Sequence, residues 1–496
     1  MASSLARRPA VVAGANARLA AALGAGGWAA AARVWGARPP GPAADGDRRF
    51  SHPAWDAHPW FFGMRQWYLA WARHVHELVD AAEVEPATAA KARFAADLFL
   101  DAVAPTNFLW GNPAALQRAV ETRGASVLAG VRNLVSDLAT NGGKPRQVDV
   151  SPFRLGENLA ATPGEVVFRN ELMELIQYRP QTDTVHEVPL LLSPPWINKY
   201  YIMDLSPGRS FVEWAVRHGH TVFAISYRNP DEEHRDVALD DYLLRGPYDA
   251  LHTIEEITGV KQANVVGLCL GGTLTVMLLA HLAANDRDRV RSATLLNTLV
   301  DFSDPGPMGI FLDREAVEHL NRRMVERGYL EAGEMSTMFD LLRPRDLVWN
   351  YVVTGWLMGE EPPAFDILAW NADGTRMPAD MHSFYLRCCY VENQLARGEM
   401  SLAGTGLDLG AIGEDTYVLS AREDHIALWR SAYATTRLLG GPVRFVLTSS
   451  GHVAGIVNPP GGRRVHWTNE DLPPDPDRWL AGATQQPGTW WEDWTA

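Results

Sequence analysis

Cys269, Asp424 and His452 are the residues whose types and positions in this 496-residue chain could do nucleophilic chemistry. Cys269 is the centre of Gly267-Leu268-Cys269-Leu270-Gly271, with Gly272 directly after it. The apolar run Asn264-Val265-Val266 leads in as a strand, and an apolar helix from Thr273 to Ala280 leads out. A strand that turns at once into a helix forces its middle residue into strained backbone angles, and side chains at the flanking positions would collide. The gain is a nucleophile at the top of a sheet, beside a helix N-terminus whose dipole favours a thiolate. The pentapeptide alone also fits a tight turn with a buried cysteine, since free Cys is among the most buried residue types. The strand before, the helix after and Gly272 favour the nucleophile.

A thiol nucleophile needs a base, and in this kind of elbow the chain order is nucleophile, acid, histidine. Strand Thr416 to Ser420 is followed by Ala421-Arg422-Glu423-Asp424-His425. Strand Arg444 to Leu447 is followed by Thr448-Ser449-Ser450-Gly451-His452. Both polar residues fall just past a strand's C-terminal end, on the same side as the elbow. His452 is therefore the expected base and Asp424 its acidic partner. Asp424 also fits a cap for the segment from Ile426 onward, and the two roles are compatible. Glu423 and His425 are neighbours that could be mistaken for the functional pair. An oxyanion needs two backbone N–H donors. One is that of Leu270, directly after the cysteine. The other is expected after an earlier strand, in Ser193-Pro194-Pro195-Trp196-Ile197-Asn198-Lys199. Pro194 and Pro195 have no N–H, which leaves Trp196 or Ile197, with Ile197 preferred.

The elements that must hold these residues are short apolar runs alternating with amphipathic segments. The runs are Val188–Leu192, Thr221–Ser226, Asn264–Leu268, Ser292–Leu296, Thr416–Ser420 and Val443–Leu447. Val166 to Phe168 and Leu172 to Tyr178 add edge elements. Between the runs lie helices expected at Phe211–His218, Leu239–Thr258, Thr273–Ala284 and Ala427–Leu439. This alternation predicts an α/β fold with a mostly parallel sheet buried on both faces. Residues 301–410 interrupt it with helical, aromatic sequence, placed where a lid would cover the strand C-termini. Residues 51–164 read as a helical N-terminal domain, with helices at Trp60–Ala82, Ala87–Val103 and Pro113–Ala139. The catalytic domain then spans 165–496. Residues 1–50, rich in Ala, Gly, Pro and Arg, are expected to be a poorly ordered or weakly helical extension.

Composition narrows the partners. A formal net charge of −14 argues against nucleic acid. Three cysteines, Cys269, Cys388 and Cys389, make no disulfide framework, so a reducing, cytoplasmic setting is expected. No apolar run reaches the length of a membrane span. Arg7-Arg8 before alanine-rich sequence could imitate an export signal, but Pro9 follows the pair and Arg18 interrupts the apolar part. Nothing in the spacing asks for a metal or a bound cofactor.

Further segments carry a resemblance. They are Ala104-Pro105-Thr106-Asn107-Phe108-Leu109 with Asn112-Pro113, Asn170 to Tyr178, and Pro194-Pro195-Trp196-Ile197-Asn198-Lys199-Tyr200-Tyr201. Beyond the elbow come Trp370-Asn371-Ala372-Asp373, Asp424-His425, Gly451-His452-Val453-Ala454-Gly455, and the tail Gly488-Thr489-Trp490-Trp491. Over about residues 47–496 the chain resembles the polyhydroxyalkanoate synthases, the polymerases of bacterial storage polyester, and most of all their single-subunit class I type. The resemblance implies an α/β-hydrolase fold and an acyltransferase that consumes (R)-3-hydroxyacyl-CoA. It also implies a homodimer working at the surface of polyester granules. Carried over, Cys269 holds the growing chain as a thioester and His452 deprotonates it. Asp424 activates the 3-hydroxyl of a unit as much as it orients His452. Leu268 and Tyr227 depart from the family, which frequently has an aromatic before the cysteine and Trp before Arg-Asn-Pro. A cysteine suits acyl transfer, because exchange of one thioester for another keeps the chain activated towards an alcohol. Two other readings share the residues: a thioesterase or depolymerase on the same fold, and a non-catalytic granule scaffold.

Overall fold

A computed structural model describes residues 2–42 and 46–496. The chain forms two compact units, Met1–Asp149 with Met338–Pro363, and Val150–Thr337 with Ala364–Ala496.

The first unit is helical. Its main helices are α1 (Pro9–Val34), α2 (Pro59–Asp80), α3 (Pro86–Ala102), α4 (Pro113–Glu121) and α5 (Ala125–Thr140). Over residues 1–50, expected as a poorly ordered or weakly helical extension, the structure places α1; residues 1 and 43–45 of that segment lie outside the described residues. Alanine is the strongest helix former, and Pro9 starts the helix where its missing N–H costs nothing. Small residues then let α1 approach α2 closely. A Cβ on Gly26 would stand 3.0 Å from Gln66 Cβ, and one on Gly63 3.3 Å from Ala30 Cβ. Phe50, Trp55, Tyr68 and Ala104 form an aromatic core beside them.

Part of the 301–410 insertion belongs to this unit. Asp101, buried at the end of α3, holds Arg49 at 3.1 Å and Arg345 at 2.6 Å. On α5, Asn133 Nδ2 donates to the carbonyls of Gly355 and Glu360, both at 3.1 Å. Asp137 accepts from Trp356 Nε1 at 2.8 Å. Gly130 lets the chain pass, since a Cβ there would lie 2.0 Å from the Trp356 carbonyl. The expected single lid is thus divided, because residues 338–363 carry carbonyls and charges whose partners stand on α3 and α5.

The second unit is built on a ten-stranded sheet. Its strands are β1 (Gly164–Arg169), β2 (Met173–Tyr178), β3 (Leu190–Ser193), β4 (Val222–Tyr227) and β5 (Ala263–Leu268). They continue with β6 (Val290–Leu296), β7 (Asp415–Ala421), β8 (Val443–Thr448), β9 (Val465–Thr468) and β10 (Thr484–Pro487). The spatial order is β1-β2-β4-β3-β5-β6-β7-β8-β9-β10. From β4 to β8 every pairing is parallel; β1, β2, β9 and β10 add antiparallel edges. Leu190, Leu191 and Leu192 are buried, as a central strand covered on both faces requires. The order reverses at β3, because the next two strands in the chain, β4 and β5, lie on opposite sides of it. Such a switch point opens a crevice at the strand C-termini.

The helices that matter to the site are α6 (Phe211–Arg217), α7 (Asp249–Thr258) and α8 (Leu270–Asn285). Helix α8 is buried from Leu270 through Leu282, which explains why it is apolar all round. The expected helix Leu239–Thr258 breaks at Gly246-Pro247, where proline cannot continue the ladder. The segment expected as Ala427–Leu439 resolves into two short turns, Trp429–Ala432 and Thr435–Leu438. Strands β9 and β10 went unforeseen, since Thr484-Gln485-Gln486-Pro487 has no apolar pattern.

Candidate functional site

Cys269 ends β5 and caps α8 with φ 52° and ψ −117°. A non-glycine residue pays about 1–3 kcal/mol for such angles, so the surroundings must impose them. They do so through the glycines. A Cβ on Gly267 would lie 2.5 Å from the Gly272 Cα, one on Gly271 2.0 Å from the Ser193 carbonyl, and one on Gly272 1.9 Å from Thr298 Oγ1. Strand, helix and two neighbouring loops meet with no room for side chains. The Cys269 amide is fixed by the Leu296 carbonyl at 2.8 Å. The cysteine is half-buried, whereas Cys388 and Cys389 are buried.

The structure brings all three sequence-predicted residues together. His452 Nδ1 lies 2.6 Å from Asp424 Oδ2. The Asp424 side chain is fully buried and that of His452 is 11% exposed. Asp424 Oδ1 accepts from the amides of Ile426 at 2.8 Å and Ala427 at 3.0 Å. One carboxylate therefore caps its own loop and orients the imidazole. Glu423, next to it, points to solvent. Burial alone would depress the His452 imidazole; the negative charges of Asp424 and of the Cys269 sulfur, both hydrogen-bond partners, outweigh burial and hold it well above its ordinary value. With Nδ1 committed to Asp424, Nε2 is the nitrogen left for the sulfur.

Residues around this core were not foreseen. Asn297, fully buried at φ 45° just past β6, donates through Nδ2 to the His452 carbonyl. The signal that could have found it is the one used for Asp424, a polar residue past a buried strand. Thr298 Oγ1 faces the Cys269 carbonyl at 3.4 Å. The tail helix α9 (Trp490–Thr495) buttresses the loop after His452. Trp490 Nε1 donates to the Gly455 carbonyl and Trp491 Nε1 to the Ile456 carbonyl, both at 3.0 Å, while Thr489 Oγ1 donates to the Asn458 carbonyl.

For the oxyanion donors, Leu270 is the first residue of α8, so no intrahelical carbonyl can take its N–H. The Ser193 and Pro194 carbonyls abut Gly271, so the loop that continues to Trp196 and Ile197 starts beside the elbow. Two sequence segments with no role of their own form a joint here. Asn198 bridges Gly374, Trp370 Nε1 donates to the Lys199 carbonyl at 2.8 Å, and Tyr201 donates to Asp373 at 2.9 Å. The joint ties the returning half of the insertion to the loop after β3. Among the described residues no group of three or more His, Cys, Asp or Glu side chains is placed to hold a metal ion.

Comparisons with known proteins agree along the chain. Residues 46–215 match the family model described as the poly-beta-hydroxybutyrate polymerase (PhaC) N-terminus, and residues 209–459 match the alpha/beta hydrolase fold. A poly(3-hydroxyalkanoate) polymerase of Methylorubrum extorquens is 45% identical over 90% of this chain and 75% of its own length. A poly(3-hydroxyalkanoate) polymerase subunit PhaC of Cupriavidus necator is 44% identical over 91% of this chain and 77% of its own. Poly(3-hydroxyalkanoate) polymerase 1 of Ectopseudomonas oleovorans is 40% identical over 90% and 80%.

Proposed function

The chain belongs to the poly(3-hydroxyalkanoate) polymerases, and we propose that it polymerises (R)-3-hydroxyacyl-CoA through an acyl thioester on Cys269. The observation that carries the mechanism is a strained cysteine at a helix N-terminus, facing an imidazole clamped by a buried carboxylate.

The Cys269 thiol gives its proton to His452 Nε2, and the sulfur attacks the carbonyl carbon of the acyl-CoA. The carbon–sulfur bond to CoA breaks, and CoA leaves with the proton returned from His452. The 3-hydroxyl of a second unit then attacks the enzyme thioester. Its proton passes to His452, an ester bond forms, and the Cys269 sulfur leaves to take the proton back. Asp424 stabilises the imidazolium in both halves. The oxyanion of each tetrahedral intermediate is received by the amides of Leu270 and Ile197. No cofactor takes part, as the CoA thioester is itself the substrate.

The partners extend this reading: a second copy of the chain, and the polyester granule in the cytoplasm. The exposed apolar side of α5 supports the second. Leu128, Val131, Val135 and Leu138 share one exposed helix face.

The test is CoA release from (R)-3-hydroxybutyryl-CoA by purified protein, with turbidity followed in the same cuvette. CoA release with insoluble polyester is expected, and Cys269→Ala is expected to show neither while keeping its melting temperature. Release without polymer would make the protein a thioesterase. Unchanged CoA release by Cys269→Ala would overturn the nucleophile.

A further inference from the structure

Asn297 is fully buried just past an apolar strand, and its presence there is costly twice over. Its φ is 45°, in the left-handed region that Asn enters more readily than most residues but not freely. Its Oδ1 is buried with no hydrogen-bond partner among the described residues, and an unpaired buried acceptor is destabilising. An aliphatic side chain, like those of Leu295 and Leu296 before it, would leave no polar atom unpaired. Costs of this kind gather at functional sites.

The bonds of this residue and of its neighbour reach the segments that carry all three catalytic side chains. The Leu296 carbonyl accepts from the Cys269 amide at 2.8 Å. The Asn297 amide donates at 2.8 Å to the carbonyl of Leu419, on the strand β7 that leads to Asp424. The Asn297 side chain donates through Nδ2 to the His452 carbonyl. The turn that follows His452 does not use that carbonyl: the amides of Gly455, Ile456 and Val457 go to the carbonyls of Gly451 and Val453, and the His452 oxygen between them is left to Asn297. This bond also orients the amide, since the flipped form would set Oδ1 against the His452 oxygen. His452 is thus held at two ends, Nδ1 by Asp424 and the main-chain oxygen by Asn297. With both ends fixed, the imidazole has little rotation left, and Nε2 stays on the Cys269 sulfur.

We propose that Asn297 is a positioning residue for acyl transfer: its Nδ2 hydrogen bond to the His452 carbonyl sets the place of the base relative to the Cys269 sulfur. The proposal rests on the reading of Cys269 as nucleophile and His452 as base. The Asn297 side chain is enclosed and touches no substrate, so its effect falls on the chemical step and not on binding. A misplacement of about 1 Å caused from outside the reacting groups costs on the order of 10²-fold in rate. The donor is the part that acts. The unpaired Oδ1 follows from the choice of residue, because an amide brings an acceptor along with its donors.

The test reads kcat and KM for CoA release from (R)-3-hydroxybutyryl-CoA in Asn297→Gly and Asn297→Asp, with thermal melts to check folding. Glycine accepts the positive φ and removes the donor; aspartate keeps the shape and puts oxygen in place of the amide nitrogen. At about pH 9 both variants are expected to lose on the order of 10²-fold in kcat, with KM held within about twofold. Burial raises the pKa of an unpaired carboxyl, so at about pH 6 the introduced acid is protonated and regains a donor for the His452 carbonyl. There Asn297→Asp is expected to outrun Asn297→Gly by about tenfold, and at about pH 9 to match or trail it. A residue that only fills space would open no such gap. Wild-type kcat in Asn297→Gly would overturn the proposal, and so would a loss carried by KM alone. An acid variant no faster than the glycine variant at about pH 6 would assign the loss to packing and overturn it as well. Where Asn297→Gly does not fold, Asn297→Asp against wild type over the same pH range decides in the same way. CoA release by wild type without polymer would instead remove the polymerase reading and leave Asn297 in its role, since acylation of Cys269 uses the same base.

Discussion

At the scale of single residues, the site turns on one carboxylate with two duties. Asp424 gives one oxygen to its own loop and the other to His452. The sequence offered cap and partner as alternatives that could coexist, and geometry shows why they do: a carboxylate has two oxygens with separate lone pairs. Electrostatics then set a pH dependence. The folded-state imidazole of His452 is held above the unfolded value of about 6.5. Its protonated form thus contributes stability that is fully present below about pH 6.5 and is lost as pH rises through the raised folded value. Asp424→Asn removes the charge that, with the Cys269 sulfur, holds the proton. The stability deficit of this variant against wild type is expected to be larger near pH 6 than near pH 9 in thermal melts. A deficit that is flat across that range would mean that only the capping hydrogen bonds are lost. Turnover of the same variant is expected to fall on the order of 10³–10⁴-fold, as for acid-to-amide changes in comparable triads. Asn297 shows the limit of reading residues singly. Its type says nothing of a backbone contact to His452, which depends on β6 and β8 ending at the same height.

At the scale of elements, the strands were legible because burial on both faces leaves continuous apolar runs, and the elbow was legible because its glycines answer steric demands that are now visible. What stayed hidden lacks a periodic signature. The π turn at Leu386–Val391 is one such element, since an inserted residue leaves no mark in a short helix. The tail is another. Trp490 and Trp491 look like core residues of a terminal helix, and they are buried. Their indole N–H groups also hold the carbonyls of Gly455 and Ile456, three and four residues beyond His452. The loop carrying the base turns on itself through Gly455 N–H to the Gly451 carbonyl and Val457 N–H to the Val453 carbonyl, and the indole bonds tie that turn to the tail. Trp490→Phe keeps most of the ring and removes the donor, leaving a buried carbonyl unpaired at a cost of about 1–3 kcal/mol. Thermal melts are expected to show that loss together with a fall in kcat, and Cys269→Ala in the same background is expected to melt alike. Full activity in Trp490→Phe would show that the His452 loop holds its position without the tail.

At the scale of the molecule, the helical unit carries a feature that inverts the usual rule. On α5 the buried residues are Ser126, Gly130, Asn133 and Asp137, and the exposed ones include Leu128, Val131, Val135 and Leu138. Read as a sequence, the apolar residues of this helix are core and its polar ones face water. The inward face is polar because the segment 338–363 lies against it and needs donors and acceptors for its free carbonyls and indole. The outward face keeps apolar side chains that folding has no use for, and a contiguous exposed patch of this kind marks an interaction surface. An aliphatic polyester offers apolar surface and no charge, which suits a stripe of Leu and Val. We therefore expect Leu128→Lys with Leu138→Lys to lower the fraction of protein that sediments with amorphous polyester particles, with little dependence of wild-type binding on salt. These positions are exposed, so the melting temperature is expected to hold within the small range usual for surface changes. Retained particle binding with a shifted oligomeric state in the double variant would assign the stripe to a second copy of the chain instead. Binding that collapses in high salt would assign it to charge rather than to apolar contact.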